Sequence, residues 1–121
     1  MSKILIAEDD FFLANAYRVK FTKVGFEVKI ARDGQETIDA LSEFLPDLII
    51  LDLMMPIKDG FSVLSEIKTN DKWGKIPVIV ASNLGQKEDI DRSIALGADD
   101  YIVKSDMTIN SVVEKVKNIL K

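Results

Sequence analysis

Four of the five short apolar runs in this sequence end at residues that could take part in chemistry. The first run is followed by Glu8-Asp9-Asp10 and the third by Asp52, and the fourth and fifth are followed by Ser82 and Lys104. Two carboxylates about 5 Å apart repel each other by roughly 3 kcal/mol at an effective dielectric of about 20. If these side chains converge, the acidic cluster requires a divalent cation. An all-oxygen ligand set without histidine or cysteine favours Mg²⁺.

Such a cluster is suited to phosphoryl transfer. Asp52 can attack phosphorus and form an aspartyl phosphate. Mg²⁺ and Lys104 would then stabilise charge on the equatorial oxygens of the transferring group, and Ser82 would donate a hydrogen bond to it. Taken singly, these residues have ordinary structural explanations: Asp10 suits a helix N-cap and Lys104 a solvated edge position. Their joint placement at four strand ends favours a shared site.

The composition excludes several other kinds of site. The 121 residues are enough for one domain, and 47% hydrophobic with 30% charged residues is typical of a globular protein. The absence of cysteine and histidine excludes disulfides, thiolate catalysis and Ser-His-Asp catalysis. A net charge of −4 without a basic stripe indicates no direct nucleic-acid binding. Because Ile4–Ala7 is too short for a signal peptide or a membrane span of about 20 residues, we expect a cytoplasmic protein without membrane insertion.

The elements that must position these residues alternate between strands and helices. The apolar runs that predict strands are Ile4–Ala7, Phe26–Ala31, Leu48–Leu51, Ile76–Ala81 and Tyr101–Val103. Between them, apolar residues recur at helical steps of three and four. These helix faces are Leu13, Tyr17, Phe21 and Val24; Ile38, Leu41 and Phe44; Phe61, Leu64 and Ile67; Ile90 and Ile94; and Ile109, Val112, Val113, Val116 and Leu120. Asp33, three residues before Glu36, predicts an N-cap, and Gly97 predicts a left-handed helix end.

Five strands alternating with five helices predict an α/β fold, a doubly wound five-stranded parallel sheet with helices on both faces. The alternating segment Phe26–Ala31 predicts an edge strand, whereas Leu48–Leu51 and Ile76–Ala81 predict strands covered on both faces. This pattern fits the order 2-1-3-4-5 of the flavodoxin-like fold. In that fold ligands bind at the carboxyl ends of the strands, beside the first and third.

The residues at these strand ends resemble the motifs of bacterial response-regulator receiver domains, the phosphorylated switches of two-component signalling. Residues 46–60, PDLIILDLMMPIKDG, closely resemble the phosphorylation segment of that family, and Ile4–Asp10 resembles its acidic-pair strand. Ile76–Ser82 is similar to the strand that carries the switch hydroxyl, and Gly97–Lys104 to the segment with the switch aromatic and the lysine. The resemblance spans the chain in the right order and implies a single receiver domain over residues 1–121.

The resemblance implies a role for each of these residues. Asp52 would be the phosphoacceptor, and Lys104 and Ser82 would each contact a phosphoryl oxygen. Mg²⁺ would be held by Asp9, by Glu8 through a bound water, by Asp52 and by the backbone carbonyl of Met54. Tyr101 would move inward with Ser82 and change the surface formed by the fourth helix, the fifth strand and the fifth helix.

The resemblance also implies a signalling function. A sensor histidine kinase or a histidine phosphotransfer protein would supply the phosphoryl group, and the domain would regulate a downstream target protein. It would catalyse its own phosphorylation and dephosphorylation without being a conventional enzyme. The alternatives are a phosphorelay intermediate, an unphosphorylated docking module of the same fold, and an aspartyl-phosphate hydrolase, which usually has an aspartate where this chain has Met54. Both a stand-alone regulator and an excised receiver domain fit the sequence.

One position departs from the family pattern. The family's lysine is usually followed by proline through a cis peptide bond, whereas Ser105 follows Lys104 here. A cis bond before a residue other than proline costs about 3 kcal/mol, so we expect a trans peptide. Separately, Met54 and Leu84 would flank the phosphoryl group with bulky apolar side chains that restrict water. We therefore expect a long-lived phosphorylated state.

Overall fold

The structure is a computed structural model that describes residues 2–121, and these residues form five strands and five α-helices in alternation. The strands are β1 (Lys3–Ala7), β2 (Glu27–Ala31), β3 (Leu48–Leu51), β4 (Val78–Ser82) and β5 (Asp100–Val103). The helices are α1 (Phe11–Lys23), α2 (Gly34–Glu43), α3 (Gly60–Thr69), α4 (Lys87–Ala95) and α5 (Ile109–Ile119), with a 3-10 turn at Lys104–Asp106 before α5. Within residues 2–121, no helix is long and apolar enough to cross a membrane.

All neighbouring strands pair in parallel, in the order β2-β1-β3-β4-β5. The predicted doubly wound, flavodoxin-like topology is therefore confirmed. The register determines which residues meet at the carboxyl edge of the sheet. Ala7 of β1 lies opposite Leu51 of β3, and Ser82 of β4 lies opposite Val103 of β5. The residues that follow these positions therefore leave the sheet at the same edge, the one formed by the carboxyl ends of the strands.

Alternate strand residues pack into two apolar cores, one on each face of the sheet. On one face, strand residues pack with buried residues of α2 and α3: Leu5, Ala7, Ile49, Leu51, Val78 and Val80 with Ala40, Leu41, Val63, Leu64 and Ile67. On the other face they pack with α1 and α5: Ile4, Ile6, Leu48, Ile50, Ile79 and Ala81 with Tyr17, Phe21, Val112, Val113 and Val116. Fully burying one such side chain contributes about 1.5–3 kcal/mol. The two cores together fix the strand ends that carry the polar residues.

One detail of the predicted helix faces was wrong. Val24 does not belong to the buried face of α1, which consists of Ala14, Tyr17 and Phe21, because α1 ends at Lys23 and Val24 is its C-cap. Ile90 and Ile94 lie on α4 as predicted, although Ile94 is 48% exposed and Ser93 is the residue of α4 that is buried. Helical spacing identifies residues on one face, but it does not determine whether a neighbouring element covers that face.

The fourth strand is displaced from its predicted bounds of Ile76–Ala81. It runs from Val78 to Ser82, because Pro77 has no N–H group with which to extend the ladder at its amino end. At its carboxyl end the pairing continues as far as Ser82 and Val103. Ser82 therefore lies inside the strand and is held by the sheet itself.

The predicted helix ends are confirmed. The Asp33 side chain accepts a hydrogen bond from the Glu36 N–H at 2.8 Å and caps α2. Gly97 has a φ of +108° and ends the α4 segment in the left-handed conformation. The Lys104–Ser105 peptide is trans, as expected, since residues 2–121 contain no cis peptide bond.

Candidate functional site

Three carboxylates lie together where β1 and β3 end. Glu8 follows Ala7, and Asp52 follows Leu51, the residue that pairs with Ala7. One oxygen each from Glu8, Asp9 and Asp52 lies within 4.8 Å of the other two. At that separation each pair of ionised carboxylates repels by about 3 kcal/mol at an effective dielectric of about 20. The structure thus brings together the acidic residues singled out in the sequence, and their oxygens could hold a hard dication.

The cluster is buried on one side and open on the other. Glu8 and Asp52 are 2% and 5% exposed, whereas Asp9 faces solvent. The Asp52 N–H donates to the Ala7 carbonyl at 3.0 Å, and Oδ1 of Asp52 accepts from the Met54 N–H at 3.1 Å. The backbone on both sides therefore fixes the orientation of the Asp52 carboxylate, while the side near Asp9 is accessible to an ion or a phosphoryl group.

Lys104 reaches the cluster from the end of β5. Its Nζ donates to Oδ2 of Asp52 at 3.0 Å and to Oε1 of Glu8, and its side chain is 11% exposed. Burial alone would lower the pKa of Lys104, but the hydrogen bonds and negative charges of Glu8 and Asp52 outweigh burial and raise its pKa above the ordinary value. Lys104 therefore remains a cation at neutral pH.

The pKa of Glu8 is also raised, but here burial is the main cause. Burial raises the pKa of its carboxyl group to about 7, and the charge of Asp52 adds to this rise while the hydrogen bond from Lys104 opposes it. A single lysine does not balance three carboxylates. A bound dication would favour the ionised form of Glu8 because it adds positive charge beside it.

Asp10 has a structural role, as the sequence favoured. Its Oδ1 accepts from the N–H groups of Phe12 and Leu13 at 3.0 and 3.2 Å, which makes it the N-cap of α1. The N–H of Asp10 donates to Oε2 of Glu8 at 3.2 Å. The cap therefore holds the acidic turn in place without adding a fourth carboxylate to the cluster.

Ser82 and Tyr101 are connected through the backbone of Leu84. Ser82 is fully buried, and its Oγ accepts from the Leu84 N–H at 3.3 Å. The hydroxyl of Tyr101 donates to the carbonyl oxygen of Leu84, and its ring packs against the core beside this residue. Burial raises the pKa of the Tyr101 hydroxyl, which keeps it a donor. The two residues expected to act as a switch are thus linked, with Tyr101 in an inward position.

The loop after Asp52 contains a contact that sequence analysis missed. Gly60 begins α3 and donates its N–H to the Leu53 carbonyl at 2.9 Å. A Cβ atom added at Gly60 would stand 3.0 Å from the Asp52 carbonyl carbon and closer still to its oxygen. The available signal was the Asp59-Gly60 pair in front of a helical pattern, but spacing alone does not show which backbone a glycine meets.

Sequence comparison places the chain among signalling proteins. A sequence profile described as response regulator receiver domain matches residues 4–117. The DNA-binding dual master transcriptional regulator RpaA of Synechocystis is 32% identical over 121 residues, which cover 100% of this chain and 50% of that protein. Response regulator RR06 of Streptococcus pneumoniae is 36% identical over 118 residues, which cover 98% of this chain and 52% of that protein. The chain thus spans about half the length of these curated relatives.

Solved structures agree with the sequence comparison. The receiver domain of the Francisella response regulator 1452 has 32% sequence identity and a TM-score of 0.90, with 99% of this chain and 96% of that chain covered. The Mn²⁺-bound form of the response regulator Rcp1 has 31% identity and a TM-score of 0.81, with 98% and 91% covered. Together with the profile match over residues 4–117 and the acidic pocket at the edge of the sheet, these similarities show that the chain belongs to the response regulator receiver domain family.

Proposed function

We propose that residues 1–121 form one receiver domain that accepts a phosphoryl group on Asp52 in a Mg²⁺-dependent reaction and thereby changes its binding to a downstream protein. The observation that carries this proposal is the convergence of Asp52 with Glu8, Asp9 and Lys104 at one edge of the sheet. Receiver domains of response regulators act between histidine kinases and downstream targets. A phosphohistidine on such a kinase or on a phosphotransfer protein is therefore the proposed donor.

The donor atoms of the pocket fit Mg²⁺. The three carboxylates offer only oxygen, which hard dications prefer, and they lie close enough to share one ion. Asp9 and Asp52 would bind directly, Glu8 would bind through water, and the Met54 carbonyl would complete the protein ligands. When bound, Mg²⁺ supplies positive charge that offsets the charge on the transferring group. Mn²⁺, which Rcp1 binds, takes the same class of oxygen ligands.

The residues around Asp52 suit it to nucleophilic attack. A carboxylate oxygen of Asp52 attacks the phosphorus, the phosphorus–nitrogen bond of the donor breaks, and its electron pair returns to the imidazole, which takes up a proton. Lys104, already bonded to Oδ2 of Asp52, then pairs with a phosphoryl oxygen. The Ser82 hydroxyl donates to another. Attack by water on the aspartyl phosphate releases phosphate and restores Asp52.

The link between Ser82 and Tyr101 through the backbone of Leu84 provides a route for the signal. If Ser82 turns towards the phosphoryl group, its bond to the Leu84 N–H weakens, and Leu84 is the residue that holds the Tyr101 hydroxyl. Tyr101 lies on β5, next to α4, a helix with a single buried residue, Ser93. A small change of charge at Asp52 can thus alter the surface formed by α4, β5 and α5.

The test is labelling of the domain with a small acyl phosphate, in Mg²⁺ or in EDTA. We expect labelling in Mg²⁺ only, and release of the label by hydroxylamine, which cleaves acyl phosphates. Full labelling in EDTA, or a label that resists hydroxylamine, would contradict the proposal. A docking module would remain unlabelled in Mg²⁺. A phosphorelay intermediate would pass the label to a histidine phosphotransfer protein more readily than to water.

A further inference from the structure

The loop between β3 and α3 contains a strained turn at Ile57. The Lys58 N–H donates to the Pro56 carbonyl at 2.8 Å, so the hydrogen bond closes a turn of only three residues. Ile57, at its centre, has a φ of +72° and is the one non-glycine residue within 2–121 with a positive φ. Such turns are rare, and a positive φ is least favourable for a β-branched residue. Strain of this kind persists only where surrounding contacts impose it.

One such contact comes from Gly34, the first residue of α2. The Gly34 N–H donates to the Pro56 carbonyl at 3.4 Å, the same oxygen that accepts from Lys58. A Cβ atom added at Gly34 would stand 2.5 Å from the Lys58 Cβ and closer still to the Lys58 carbonyl oxygen. Because the obstacle includes backbone atoms, no side-chain rotation could relieve it. Glycine is therefore required at position 34 so that the two backbones can pack together.

The same loop is held at its ends by residues of the candidate site. Gly60 packs against the Asp52 and Leu53 backbone, with its N–H bonded to the Leu53 carbonyl. The Met54 N–H is bonded to Oδ1 of Asp52 at 3.1 Å. Any displacement of the turn at Ile57 is consequently transmitted to a loop whose first residues orient the Asp52 carboxylate.

We propose that Gly34 is a positioning residue for the phosphoryl-accepting site, an inference that rests on the function proposed above. Gly34 holds the 53–59 loop so that the Met54 backbone stays against the Asp52 carboxylate. The Met54 carbonyl, one of the proposed Mg²⁺ ligands, belongs to the same loop. A residue at the start of α2, which supplies none of the proposed ligands, thereby determines how well the site binds its ion.

The decisive variant is Gly34→Ala, with Gly85→Ala as the matched control. A Cβ at Gly85 would meet only the Val103 methyl groups at 3.7 Å, an ordinary contact. We expect Gly34→Ala to raise the Kd for Mg²⁺ about tenfold or more, the size typical of residues that orient metal ligands, and to slow labelling by an acyl phosphate. We expect Gly85→Ala to resemble wild type in both. The double variant Gly34→Ala with Ile57→Gly should recover most of the affinity, because glycine lets the loop yield.

The outcomes separate this inference from the proposed function. If wild-type protein neither binds Mg²⁺ by calorimetry nor becomes labelled, the proposed function fails. If wild type does both and Gly34→Ala does so equally well, or loses only thermal stability, the inference about Gly34 is overturned. If Gly34→Ala does not fold, amide NMR of the wild-type protein during addition of Mg²⁺ tests the inference instead. Mg²⁺ should shift the Gly34 resonance but not that of Gly25, which lies beyond the far end of α1, and an unmoved Gly34 resonance overturns the inference.

Discussion

Nζ of Lys104 lies 3.0 Å from Oδ2 of Asp52, although the two residues are 52 positions apart in the sequence. The same ammonium group contacts Glu8, so a single cation serves two buried carboxylates. Asp9 adds a third carboxylate from the exposed side. The side chains of this site therefore carry more negative than positive charge.

Asp52→Asn removes the proposed nucleophile with little change in size. We expect the variant to fold and to take up no label from an acyl phosphate in Mg²⁺, because an amide does not attack phosphorus as a carboxylate does. Asp71→Asn, in an exposed loop, is the control and should be labelled like wild type. Label retained on the Asp52→Asn variant would place the phosphoacceptor elsewhere.

Adjacent aspartates allow a matched test of the metal site. Asp9→Asn removes a charged ligand, and we expect the Kd for Mg²⁺, measured by calorimetry, to rise by at least about tenfold. Asp10→Asn should leave the Kd nearly unchanged, because asparagine is as good an N-cap as aspartate and Asp10 caps α1. Equal losses in the two variants would contradict the proposed ligand set.

Lys104→Met leaves Glu8 and Asp52 without their shared cation. In EDTA we expect a loss of about 2 kcal/mol in the free energy of unfolding by urea, the size of a hydrogen bond to a charged group. Mg²⁺ should stabilise this variant more than wild type, because the ion replaces the missing positive charge. Lys115→Met is the control. It breaks a half-exposed pair with Asp100, and such pairs contribute less than about 1 kcal/mol. Similar losses of unfolding free energy in both variants would contradict the role of Lys104 as the cation that offsets the charge of the buried carboxylates.

Much of this site follows from the sequence, because parallel strands alternate with helices and their carboxyl ends must meet. The positions of Glu8, Asp52 and Lys104 were predictable for that reason. Contacts between loops were not, since no periodicity indicates that Gly34 packs against Lys58 or that Ile57 has a positive φ. Such contacts depend on how loops from different parts of the chain pack against each other in the folded protein.

The raised pKa of Glu8 predicts a pH dependence of the metal-free protein. The pKa rises from 4.5 to about 7 on folding, so between these values the folded state binds more protons than the unfolded state. The stability contributed by protonated Glu8 is therefore complete below pH 4.5 and is lost as the pH rises through about 7. We expect the urea midpoint in EDTA to fall across this window in wild type, and to fall less in Glu8→Gln. Equal slopes in the two proteins would contradict the assignment to Glu8.

The lifetime of the phosphorylated state should depend on Met54 and Leu84. The Met54 N–H is bonded to Asp52 and the Leu84 N–H to Ser82, so each side chain projects from backbone that touches the site. Large apolar groups there hinder the approach of water to the phosphorus. We expect the variant with serine at both positions to lose its label faster than wild type after the donor is removed. Leu45→Ser, at an exposed apolar residue before the amino end of β3, is the control. An unchanged rate in the double variant would show that other groups limit access to the aspartyl phosphate.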